Sequence, residues 1–273
     1  MCQKVIFVIL DGLNYKTARS QMGYMAHLTE QNVATLYRVK SQLPAMSRPL
    51  YESLLTGTTP CVHGVLNNQT TRRSQQVSVF DLAVTAGLKT GAAAYHWMCE
   101  LYNESPFNPF ENRIMNDETK SIQHGMFYYE DDYPDTHLLA DSMYILKQYK
   151  PDFIVIHPMN IDLAGHEQGC DSKAYKGAAI KVDILLSHAV PIWLEQGYQV
   201  VITADHGMNA EGFHNGDEED GRLVPLWLIG SIFKGACSDE LYDQLAIAPM
   251  LCEILGLMPA ESMTCRMMSS LIK

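Results

Sequence analysis

The sequence predicts an α/β fold: a doubly wound, mostly parallel sheet with helices on both faces and a small cap insertion. Three observations lead there. Short, continuous apolar runs at residues 5–10, 153–156 and 198–203 have strand length and many β-branched residues, as strands covered on both faces must. Stretches of helical character alternate with them. Acids and histidines follow the runs at once, where open α/β sheets place ligands at the carboxyl ends of their strands.

Each element follows from local chemistry. Residues 5–10 form the first strand, and Asp11-Gly12 ends it. Residues 15–31 read as helix and 33–39 as extended. Ser47-Arg48-Pro49 opens a helix to about Thr56, because proline is tolerated in a first turn. Gly57-Thr58-Thr59-Pro60 stops it. Residues 77–86 are a short helix and 90–95 a strand. Residues 96–133 change texture, being rich in aromatics, Asn, Pro and acids without clean periodicity. They read as a cap insertion over the sheet, within one catalytic domain spanning 1–273. Residues 134–149 return to helix and 153–156 to strand. Residues 172–196 form a long helix, broken or kinked near Pro191. Strands at 198–203 and 224–229 precede a closing helix over 239–255. No internal repeat or low-complexity linker interrupts the pattern.

Composition narrows the function classes. The 273 residues are 47% hydrophobic, enough for a sizeable core. A net charge of −11 argues against a nucleic-acid polymer as partner, which needs excess Lys and Arg. An acidic chain can still take a phosphate compound if metal ions supply positive charge. Seven scattered cysteines without a CxxC fit a reducing compartment. The N-terminal MCQKVIFVILDG lacks the basic region and cleavage site of a signal peptide. No run approaches the length of a membrane span, so no membrane partner is expected. The expected location is cytoplasmic.

The polar residues past the strand ends form a set. Asp11 follows the first strand, and Asp162 and His166 stand in DLAGH. Asp205 and His206 follow VVITA, and His214 lies in GFHNGD. Only three of the ten histidines belong to the set, so abundance does not produce it. Gly165 and the preceding strand suggest that Asp162 and His166 project from a loop. Six O/N ligands suit two borderline divalent cations, zinc first and manganese or iron as alternatives. Two such ions serve displacement at phosphorus well. Ser47, at a helix N-terminus that favours an anion, is the candidate nucleophile. His157 reads as a buried histidine behind the ligands. Trp97, Tyr102 and Asn103 are candidates to line a substrate pocket.

With these motifs in place, the chain resembles the alkaline phosphatase superfamily, and within it the nucleotide pyrophosphatase/phosphodiesterase branch. The matching stretches are VILDGL (8–13), PAMSRPLYESLLTGTTPCVHGVLNN (44–68), PDFIVIHPMNIDLAGHEQGCDS (151–172), ITADHGM (202–208) and FHNGD (213–217), in the family's order. The resemblance implies a two-metal phosphodiesterase or pyrophosphatase acting through a phosphoseryl intermediate on a small phosphate-containing substrate. Asp11, Ser47, Asp205 and His206 would hold one metal, and Asp162, His166 and His214 the other. Asn68, better spaced than Asn67, and the backbone N–H of Arg48 would hold a phosphoryl oxygen.

Arg48 departs from the diesterase branch, which usually has an aromatic residue after the nucleophile. Its guanidinium either binds an extra phosphate charge, favouring monoesters or phosphonates, or points to solvent, or pairs with an acid. A sulfatase would need Arg where Tyr51 stands. A phosphomutase would need a larger second domain. A non-enzymatic binding module would have no use for a nucleophile among six ligands.

Overall fold

The computed structural model describes residues 3–234 and 237–266. Among the described residues nine strands form one sheet: β1 (Lys4–Ile9), β2 (Ala34–Lys40), β3 (Thr90–Tyr95), β4 (Ile114–Asn116), β5 (His124–Tyr128), β6 (Phe153–Ile156), β7 (Tyr198–Thr203), β8 (Leu223–Ile229) and β9 (Cys237–Asp243). Their order is β4-β5-β3-β6-β1-β7-β8-β2-β9. The run β5-β3-β6-β1-β7 is parallel throughout. β4 and β8 are antiparallel to their neighbours, and β9 runs parallel to β2.

Every residue of β3, β6 and β7 is buried, so both faces of the central sheet are covered. That is why these runs are apolar at successive positions rather than at alternate ones. Asp135–Tyr149 packs against β3, β5 and β6, Lys173–Glu195 against β7, and Ile247–Leu255 against β1. Parallel register then sets the site. Val8 pairs with Ile156 and Ile9 with Thr203, so β1, β6 and β7 end level with one another. Asp11, His157 and Asp205, each one or two residues past a strand end, therefore meet at one edge.

Several elements differ from their sequence reading. The helix expected over 15–31 is two, Tyr15–Gln21 and Gly23–Glu30. Part of the segment expected as a cap extends the sheet instead: β5 pairs with β3, and β4 with β5. Lys173–Glu195 continues through Pro191. The closing helix begins only at Ile247, because 237–243 forms edge strand β9 against β2. By length and composition alone Lys173–Glu195 is long and apolar enough to cross a membrane, contrary to the expectation that no run is. It is packed against β7, and its buried Asp183 accepts the backbone N–H groups of Tyr24 and Met25 at 2.7 and 3.1 Å.

Candidate active site

The helix Ser47–Thr56 is buried along its whole length. Each polar side chain on it therefore needs a partner. Ser47 Oγ lies 3.1 Å from His206 Nε2. Arg48 pairs with Glu100, Ser53 meets His63 Nε2 at 3.1 Å, and Glu52 accepts from Ser74 Oγ at 2.6 Å. One turn on from Ser47, Tyr51 donates a short hydrogen bond to Asp11 Oδ2. The left-handed Gly57 (φ 62°) ends the helix.

Around Ser47 the structure brings together Asp11, Asp162, His166, Asp205, His206 and His214. Asp162, His206 and His214 form one buried group, and Asp11, Asp205 and His206 another; within each, the donor atoms lie within 4.8 Å. His206 thus belongs to both. His166 stands at the rim, its side chain 45% exposed and its Nε2 3.4 Å from Asp162 and 3.2 Å from His214 Nε2. Asp162 and His166 project from a helix, Asn160–Gln168, not from the expected loop. Spacing of i, i+4 puts both on one face, so the helix serves where a loop was expected. Gly12, in a left-handed conformation (φ 73°), lets this helix approach: a Cβ there would stand 2.7 Å from Asp162 Oδ1.

The imidazoles are fixed by backbone carbonyls. His206 Nδ1 donates to Gly207 O at 2.9 Å, His166 Nδ1 to Gly212 O at 2.9 Å, and His214 Nδ1 to Ala45 O. A carbonyl can only accept, so each Nδ1 carries the proton and each Nε2 presents a lone pair to the site. Burial holds His206 below the ordinary histidine range. Burial, with the neighbouring His206, takes His214 down to about 3.

The carboxylates show the complementary problem. Burial alone would raise Asp11, but His157, His206 and Tyr51 reverse it and hold the carboxyl at about 2. Burial and the charge of Asp11 push Asp162 and Asp205 well above the usual carboxylate range. Asp11 Oδ1, Asp162 Oδ1 and Asp205 Oδ2 are buried without a hydrogen-bond partner. Orphaned carboxylate oxygens facing bare imidazole nitrogens are what divalent cations satisfy, so these residues fit the implied metals. His157, fully buried, supports Asp11 from behind at 2.9 Å, and Tyr128 Oη lies 3.2 Å from its other nitrogen.

Other expected residues stand differently. Asn68 Oδ1 accepts the Arg48 N–H at 3.1 Å, so that N–H orients the amide and is not free for a phosphoryl oxygen. Tyr102 and Asn103, expected to line a pocket, are packed inside the fold. Both are buried at the end of the His96–Tyr102 helix, and the Asn103 amide bonds the backbone of Ile122 in both directions. Trp97, half-buried, lies under the Arg48 guanidinium at 4.7 Å. A cleft of about 460 Å³ bordered by Phe213, His214 and Asn215 opens beside the group that contains Asp162 and His214. Sequence reasoning missed Tyr51, one helical turn from Ser47, and Tyr175, whose hydroxyl donates to Gly12 O at 2.6 Å. It also missed Glu100, for which nothing local gives a signal.

Residues 5–220 match the family model described as type I phosphodiesterase / nucleotide pyrophosphatase. The chain belongs to that family. Among curated relatives of this family member, the catalytic subunit of human GPI ethanolamine phosphate transferase 2 is 22% identical over 277 residues, covering 95% of this chain and 27% of its own length. A 2,3-bisphosphoglycerate-independent phosphoglycerate mutase of Chloroflexus aurantiacus is 37% identical over 124 residues, covering 41% of this chain and 22% of its own. The chain thus spans about a quarter of the curated relatives it matches. Among solved structures, murine ectonucleotide pyrophosphatase/phosphodiesterase 5 superposes with a TM-score of 0.73 at 13% identity, covering 99% of this chain and 100% of that one. The same murine protein has been solved with AMP. Alkaline phosphatase PafA gives 0.70 at 10% identity, covering 100% and 99%. At these identities the likeness is one of fold.

Proposed function

We propose that this chain is a two-metal, preferentially zinc, hydrolase of small phosphodiesters or nucleotide pyrophosphates, with Ser47 as nucleophile. One observation carries the reading. Three carbonyl-locked imidazoles and three buried carboxylates with orphaned oxygens converge on one serine hydroxyl at a helix N-terminus. Asp11, Asp205 and His206 would hold one metal beside Ser47, and Asp162, His166 and His214 the other. Bound there, the ions would supply positive charge that lowers the serine pKa and stabilises phosphoryl and leaving oxygens.

The chain's own residues do the rest. Ser47 Oγ, having lost its proton, forms a bond to phosphorus. The ester oxygen on the opposite side leaves with the bonding pair and takes a proton from water. Water then attacks the phosphoserine, the Oγ–P bond breaks, and Ser47 is restored with release of a phosphate monoester or phosphate. Asn68, oriented by the Arg48 N–H, offers its Nδ2 to a phosphoryl oxygen. The AMP complex of the murine structural neighbour supports a small phosphate-containing substrate. A reducing, cytoplasmic setting belongs to the same proposal, on the scattered cysteine pattern of the sequence.

The test is a paired assay on zinc-loaded protein with nitrophenyl phosphate, bis(nitrophenyl) phosphate and a nitrophenyl phosphonate, Ser47→Ala serving as control. Turnover of the diester that is lost in the alanine variant supports the proposal. No turnover together with a zinc content near zero overturns it.

A further inference from the structure

Arg48 sits beside the nucleophile, yet its guanidinium is committed elsewhere. Nη2 pairs with Glu100 Oε2 at 2.6 Å, and Nη1 donates to Thr70 O at 2.9 Å. The cation lies against the face of Trp97. Both side chains of the pair are under 10% exposed, so solvent screens them little. Glu100 is itself held by the N–H of Phe107 at 3.0 Å. A buried arginine next to a phosphoryl site would ordinarily recognise phosphate with its planar fork. Here a carboxylate takes Nη2 and a backbone carbonyl takes Nη1.

Charge balance gives this pairing a consequence. With Ser47 still protonated, or replaced by Ala, two divalent cations would bring four positive charges against Asp11, Asp162 and Asp205, leaving about one. That matches a phosphodiester monoanion. A monoester dianion would need one more cation, and Glu100 cancels the one that Arg48 could provide.

We propose that Glu100 is a specificity-determining residue that acts through Arg48: by neutralising the guanidinium of the residue that follows Ser47 it biases the site toward phosphodiester monoanions and against monoester dianions. This rests on the hydrolase reading above, so the experiment reads anion binding as well as turnover. Zinc-loaded protein carrying Ser47→Ala is titrated calorimetrically near pH 8 with inorganic phosphate, largely dianionic there, and with dimethyl phosphate, a monoanion.

Adding Glu100→Gln, which keeps an acceptor for Phe107 N–H, raises phosphate affinity at least about tenfold and dimethyl phosphate affinity less than about threefold. Adding Arg48→Gln removes the gain. Glu100→Asp loosens the pair without removing its charge and gives a smaller gain in the same direction, which keeps the test alive should the glutamine variant fail to fold. With Ser47 present, Glu100→Gln raises the monoester-to-diester ratio of kcat/KM by a similar factor. A merely structural Glu100 would lower both anions' affinities together. That result, an equal gain for both anions, a gain that survives Arg48→Gln, or phosphate binding to no variant overturns the proposal. Turnover of neither ester, with the anion discrimination intact, overturns only the hydrolase reading.

Discussion

At the scale of single residues, the site depends on groups that hold other groups. Ser47→Ala is expected to reduce kcat/KM roughly a thousandfold or more with zinc content unchanged, because it removes the nucleophile and no ligand imidazole. Turnover within tenfold of wild type would sink the nucleophile assignment. His157→Ala should act through Asp11, whose Oδ2 it meets at 2.9 Å. Losing such a partner behind a ligand typically lowers metal affinity about 10–100-fold, measurable by competition with a chelator. Unchanged zinc affinity would make His157 a packing residue. Gly12→Ala should weaken zinc binding for a different reason, since its Cβ would displace Asp162 and strain a left-handed turn. His157 was legible in the sequence as a buried histidine near a strand end. Tyr51 and Glu100 were not, because their partners lie 40 and 52 positions away in the chain.

At the scale of elements, the helix Ser47–Thr56 carries buried ionisable groups as well as the nucleophile. Burial raises Glu52 from an ordinary 4.5 to about 7. Its folded-state pKa thus exceeds the unfolded one. The stability it contributes is complete below about pH 4.5 and is lost as pH rises through 7, after which the cost is constant. Asp135, raised by burial to about 7 in the first turn of Asp135–Tyr149, adds a loss of the same sign. Glu52→Gln cannot ionise and should lack its share. Between pH 4.5 and 7.5, urea unfolding should show the wild type losing roughly 1–3 kcal/mol more than the variant. Equal slopes would mean that the carboxyl is ionised and satisfied in the fold. The start and end of this helix were plain in the sequence from Pro49 and Gly57. The helix carrying Asp162 and His166 was not, because Gly165 reads as a breaker. Its tolerance is tertiary: Met208 and Tyr175 press against Gly165, where a Cβ would fall 2.8 Å from Met208.

At the scale of the whole molecule, the sheet edge concentrates three carboxylates that repel one another without cations. Metal binding should therefore stabilise the fold as a unit. At zinc a hundredfold above its dissociation constant, each site contributes about 2.7 kcal/mol, so chelation should lower Tm by on the order of 10 °C and zinc should restore it. An unchanged Tm, with metal removal verified by elemental analysis, would mean that the ions do not bind the folded chain selectively. The edge strands show what pattern reading cannot reach. β9 lies where 239–255 suggested one helix, and β4 where 96–133 suggested a cap. Edge strands bury less and pair on one side, so their periodicity is weak and their partners, distant in sequence, decide them.

The sequence by itself determined the family, the parallel α/β core and the six polar residues that meet at Ser47. Strands buried on both faces must be continuously apolar, and the acids and histidines that end them must serve something. The tertiary structure alone decided how those residues share their work: His206 common to both groups, His166 at the rim, and Tyr102 and Asn103 in the core. It also decided the state of Arg48, because an ion pair with Glu100 depends on two helices meeting in space, and no local pattern encodes that distance.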